Sequence, residues 1–118
     1  MVIGKKHIPL KKYVNDYISA RIVEPGVESI YSNYGFELLG YIVEEASRQP
    51  YEEYIQQHVF DPLGMKDTTL TTPSNGVKSY DFKNDKYVSV KATDMNIRPA
   101  GTIWATASDM ANYMMGQL

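Results

Sequence analysis

Tyr31, Ser32 and Asn33 form a Tyr-x-Asn triplet between a Pro25-Gly26 turn and a stretch with helical spacing. Such a triplet sets a phenol and a carboxamide two residues apart, so proton transfer and hydrogen bonding are the chemistry on offer. A phenol ordinarily titrates near about pH 10 and acts as a general base only where neighbouring cations favour phenolate. Ser32 or Asn33 can accept an orphan backbone N–H as a helix cap, and the helix N-terminus then favours a nearby anion. The bland reading is a packed aromatic followed by a cap. The triplet alone is a weak signal, because Tyr13-Val14-Asn15 repeats it inside another expected helix, where we read it as chance.

Other chemistry is narrowed by absence. The 118 residues hold no cysteine, which removes disulfides, thiolate metal sites and cysteine nucleophiles. The two histidines, His7 and His58, lack metal-ligand spacing and are expected at the surface or a helix end, so no metal and no cofactor is implied. No serine has a lysine three residues on, and no nucleophile elbow, phosphate loop or dinucleotide fingerprint occurs. A net charge of −2 gives no electrostatic case for nucleic acid or for a polybasic membrane tether. No apolar run has the roughly 20 residues of a membrane span, and the first residues do not read as a signal peptide. Ten tyrosines favour surfaces with apolar bodies and wet tips.

The elements that must position the triplet follow from periodicity. The spacing predicts a helix from Ile8 to Ile22 with Pro9 at its first position, and Glu24-Pro25-Gly26 stops it. A short extended stretch, Val27 to Tyr31, follows. A second helix is predicted from about Tyr34 to Ser47, with Phe36, Leu39, Ile42, Val43 and Ala46 as its apolar stripe. Gly40 lies mid-helix at a cost of about 1 kcal/mol, which signals close approach of another backbone. A third helix opens at Pro50 or Tyr51, carries Tyr51, Tyr54, Ile55 and Val59 on its inner face, and ends at Asp61-Pro62-Leu63-Gly64. Pro73 to Gly76 is a turn, and Ser79–Phe82 with Lys86–Val90 makes a hairpin around Asn84-Asp85. A last helix opens near Thr106 with a capping-box-like Thr-Ala-Ser-Asp, and Met110, Tyr113, Met114 and Leu118 form its apolar face. Met110, Met114 and Met115 read as core filler, and Ser108 as a helix N-terminal residue rather than a nucleophile. The fold class expected is mainly α with a minor β element, one domain with a single modest core and a radius of gyration of roughly 13–14 Å.

With these residues in place, the sequence resembles the serine β-lactamase-related superfamily, most closely its class C β-lactamase and D-alanyl-D-alanine carboxypeptidase branch. The resemblance runs through Pro25-Gly26, Tyr31-Ser32-Asn33-Tyr34-Gly35 and Leu39-Gly40. It continues through Tyr51-Glu52-Glu53-Tyr54-Ile55, Val59-Phe60-Asp61-Pro62-Leu63-Gly64-Met65 and Thr68, and resumes at Pro99-Ala100-Gly101 and Thr106-Ala107-Ser108-Asp109-Met110. It implies that Tyr31 is the general base and Asn33 the substrate-binding amide. The family's other parts, a Ser-x-x-Lys and a Lys-Thr-Gly or His-x-Gly strand, have no match here. Residues 1–118 then look like the middle, mostly helical part of a larger serine hydrolase of α+β fold. Its partners would be a small-molecule or peptidoglycan-peptide substrate and the remaining α/β part of the parent chain. Its place would be extracytoplasmic. Three departures stand out: Ser47-Arg48-Gln49-Pro50 replaces a glycine at a helix end, Ile103-Trp104-Ala105 is bulkier than usual, and the stretch between Thr69 and Pro99 is shorter than usual.

Covalent catalysis needs an activated serine, so the isolated chain is expected to be inactive. The alternative is a non-catalytic helical module that binds peptide or peptidoglycan. Apolar faces that meet the missing α/β part are expected to be partly exposed.

Overall fold

A computed structural model describes residues 8–90 and 98–118. The elements are α1 (Leu10–Asp16), α2 (Asn33–Ser47), α3 (Tyr51–Ile55) continuing into a π-helical turn (Gln56–Phe60), β1 (Ser79–Lys83), β2 (Lys86–Val90) and α4 (Ala107–Met115). His7 lies outside the described residues.

α1 is shorter than the periodicity suggested. Pro9 caps it rather than entering it, and the helix stops at Asp16. The β-branched residues that would extend it, Ile18 and Ile22, are exposed, Ile22 at 78%. Without a surface to pack on, β-branched residues do not sustain helix. The three buried side chains of α1, Leu10, Tyr13 and Val14, face inward, and the Tyr34 hydroxyl of α2 donates to the Val14 carbonyl at 3.0 Å.

Glu24 to Val27 forms a turn in which Val27 N–H donates to the Glu24 carbonyl and Gly26 takes φ 81°, the conformation a type II turn demands at that position. Ser32, extended, caps α2 by accepting from Gly35 N–H at 3.1 Å. The far end of α2 closes at Arg48 in the left-handed region, φ 60°, where a glycine would carry no Cβ penalty.

The expected apolar stripe of α2 is not its buried face. Phe36, Leu39 and Ile42 are exposed, while Glu37 and Gly40 are buried. The same reversal holds in α4, where Met110, Tyr113, Met114 and Leu118 are exposed and Asp109 is buried. Met110, Met114 and Met115 are therefore not core filler. An amphipathic face is buried only where a second layer covers it, and the described residues supply none there.

The core lies under the third helix. Phe60, Met65 and Leu70 form it, with Tyr51, Ile55, Val59 and Leu63 packed around them. Sequence spacing missed Phe60 because the π turn, with Asp61 N–H bonding back to Gln56, shifts the phase by one residue. The core is small, and the radius of gyration, 16.8 Å, exceeds that of a compact globule of this length.

β1 and β2 pair antiparallel in the register Ser79 with Val90 to Lys83 with Lys86. Asn84 and Asp85 both have positive φ, 48° and 57°, as a two-residue type I′ turn requires. Thr69 and Trp104 exchange both backbone hydrogen bonds, at 2.9 and 2.8 Å, and tie the segment before α4 to the loop after the third helix. The described residues thus form helices and one two-stranded hairpin.

Candidate functional site

Tyr31 and Asn33 flank the Ser32 cap. Tyr31 is 75% exposed, and its ring lies 5.6 Å from that of Phe36. It does not fill the core of the described residues. With Ser29, Ile30, Gly35, Phe36 and Leu39 it lines an open groove of about 430 Å³. Asn33 is the first residue of α2 and is exposed. The cap itself is Ser32, which leaves the Asn33 carboxamide free of that task. The second triplet behaves as expected of a chance match: Tyr13 is buried inside α1.

Asn33 begins a face that continues through Glu37, Gly40 and Glu44 at helical spacing. Polar and small residues, not apolar ones, make the inward contacts along it. Glu37 is fully buried, and its Oε1 accepts from the Ala100 N–H at 3.3 Å. Burial pushes its carboxyl up to about 7, against the pull of the Ala100 N–H. Burial, with Glu37 nearby, also raises the phenols of Tyr13 and Tyr51. At Gly40 an added Cβ would fall 2.9 Å from Pro99 Cβ, so what approaches this glycine is a proline ring and not the backbone expected from the sequence. Glu44 accepts from Tyr51 N–H at 2.9 Å. Arg98, at the start of the same turn as Pro99 and Ala100, pairs with Glu52 at 2.9 Å.

Two of these residues were not singled out by sequence reasoning. Glu37 could have been found from its spacing to Gly40, which puts it on the glycine's face. Asp109 was read as half of a capping box. Thr106 does cap α4, accepting from Asp109 N–H at 3.1 Å. The Asp109 carboxylate, however, serves the loop after the third helix: Oδ2 accepts from Asp67 N–H at 2.9 Å and Thr68 Oγ1 at 2.7 Å. Ser108 is exposed in the first turn of α4. His58 is exposed and stacks on Tyr54, with centroids 4.4 Å apart. Among the described residues no group of acidic or histidine side chains could hold a metal ion.

The chain and its fold have counterparts among known proteins. The Beta-lactamase family model matches residues 7–118. The chain belongs to the beta-lactamase family. It is 35% identical to Protein flp of Staphylococcus aureus over 94 residues, 78% of this chain and 17% of that protein. It is 32% identical to the D-alanyl-D-alanine-carboxypeptidase/endopeptidase AmpH of Escherichia coli, over 80% of this chain and 24% of that one. The fold is similar to that of the D-amino acid amidase from Ochrobactrum anthropi SV3, with a TM-score of 0.71, 23% identity, and coverage of 95% of this chain and 34% of that one. The chain thus spans about a fifth of the length of the curated relatives it matches. Among the described residues of this family member, no helix is long and apolar enough to cross a membrane.

Proposed function

We propose that residues 1–118 are the central, mostly helical part of a serine hydrolase of the β-lactamase and penicillin-binding type, acting by acylation and deacylation. The observation that carries this reading is Tyr31 itself, exposed over a groove immediately before the capped N-terminus of α2. In this reading Tyr31, held as phenolate by the lysine of another segment, takes the proton of a serine that the same segment supplies, and Asn33 hydrogen-bonds the substrate. A Ser-x-x-Lys and a Lys-Thr-Gly or His-x-Gly strand complete the site from an α/β part that packs on the exposed stripe of α2. Substrates of the whole protein are β-lactams, peptidoglycan peptides or small esters, met outside the cytoplasm.

The chain alone lacks the serine and is inactive. The test is exposure of the isolated chain, and of the protein from the complete reading frame, to a fluorescent penicillin and a chromogenic cephalosporin. The longer protein should be labelled at a serine followed three residues later by lysine, and the isolated chain should be neither labelled nor hydrolytic. Cephalosporin hydrolysis by the isolated chain, lost on Tyr31→Phe, would overturn the account of its inactivity. Failure of the longer protein to react with any β-lactam or ester would overturn the hydrolase reading.

A further inference from the structure

The inward face of α2 is built from the wrong residue types for ordinary packing. Burying a carboxyl is costly, and a leucine at position 37 would fill space without that cost. Glu37 instead reaches a backbone N–H 63 residues away, on a turn closed by Gly101 N–H bonding to the Arg98 carbonyl. Gly40, on the same face, admits the Pro99 ring of that turn. Just beyond, Thr102 holds φ 74°, a strained conformation for a β-branched residue, which persists only where flanking contacts fix it. Those contacts are Glu37 and Gly40 on one side and the Thr69–Trp104 bridge on the other. Asn33 lies on the same face as Glu37, one helical turn or about 6 Å along the axis.

We propose that Glu37 is a positioning residue: its buried carboxyl clasps the Arg98–Gly101 turn against the Asn33 face of α2, so that the turn walls the substrate site. This rests on the reading of Asn33 as the substrate-binding amide. The groups that face the clasp are Tyr13 from α1, Tyr51 from α3, and Arg98 of the turn, which is held by Glu52. Oε2 of Glu37 has no partner among the described residues, so an ionised carboxylate is uncompensated there. Burial outweighs the Ala100 N–H, which favours the ionised form, so the clasp is firmest while Glu37 is neutral and weakens as pH rises from 4.5 towards about 7.

The test uses the protein from the complete reading frame, with a chromogenic cephalosporin and a nitrophenyl ester as probes. Glu37→Leu should raise KM about tenfold and leave kcat within a few-fold, as expected for a displaced wall rather than lost chemistry. Glu37→Gln, which keeps an acceptor for the Ala100 N–H but cannot ionise, should restore KM. It should also abolish the rise in KM expected of the unaltered protein as pH rises from 4.5 to about 7. Unchanged KM in Glu37→Leu, or the same pH profile in Glu37→Gln as in the unaltered protein, would overturn the proposal. If the unaltered protein turns over neither probe, the hydrolase reading fails, and the Ala100 amide resonance decides the clasp. A chemical shift that titrates in the unaltered protein but not in Glu37→Gln supports the clasp, and one that titrates in neither overturns it.

Discussion

Gly40 and Pro99 lie 59 positions apart in sequence and in direct contact in space: the proline ring occupies the place where a side chain at position 40 would stand. In an exposed helix, alanine in place of glycine would gain about 1 kcal/mol. Here Gly40→Ala should instead destabilise the chain by about 1–3 kcal/mol, the cost of overpacking. Urea denaturation checks the sign.

The Asp109 carboxylate joins α4 to the loop that follows the third helix. Asp109→Ala leaves the buried Thr68 hydroxyl and Asp67 N–H without their acceptor, and should cost about 2–4 kcal/mol. Thr106→Ala removes only the cap and should cost about 1 kcal/mol. Comparison of the two melting temperatures separates the roles.

Thr102 offers a change in the opposite direction. Glycine carries no Cβ penalty at φ 74°, so Thr102→Gly should stabilise the chain by about 1 kcal/mol. A lower melting temperature in that variant would contradict the strain ascribed to this position.

Stability should also depend on pH through Glu37. Its folded-state pKa is raised from 4.5 to about 7, so the folded state binds the proton more tightly than the unfolded chain. The contribution is fully present below pH 4.5, declines as pH rises towards about 7, and is lost above that. Glu37→Gln should flatten this decline in denaturant midpoints measured from below pH 4.5 to above about 7.

The exposed stripe of α2 makes a further demand. Leu39 is 58% exposed, so Leu39→Lys should change stability by no more than about 0.5 kcal/mol. It should nonetheless reduce concentration-dependent self-association of the isolated chain, measured by sedimentation, because it interrupts an apolar patch.

Local chemistry was legible where it decides structure locally. Asn84-Asp85 announced the hairpin turn, Pro25-Gly26 the turn before the triplet, and Ser32 and Thr106 the starts of α2 and α4. The face each helix buries was not legible, because burial depends on what packs against it. Periodicity pointed to Phe36, Leu39 and Ile42, but contact with a distant turn selected Glu37 and Gly40 instead. Phe60 escaped for a different reason, since a π turn breaks the period on which the reading relied. The roles proposed for Tyr31 and Asn33 rest on resemblance and not on spacing, which also occurs at Tyr13 and Asn15.

The central claim is that Tyr31 is the general base of a serine acyl-transfer site. The most direct measurement is kcat/KM for a chromogenic cephalosporin, made on the protein from the complete reading frame with Tyr31 intact and with Tyr31→Phe. Loss of a general base predicts a fall of about 100-fold or more with the melting temperature unchanged, since the ring is exposed and the hydroxyl is all that is removed. Equal kcat/KM in the two proteins would contradict the account.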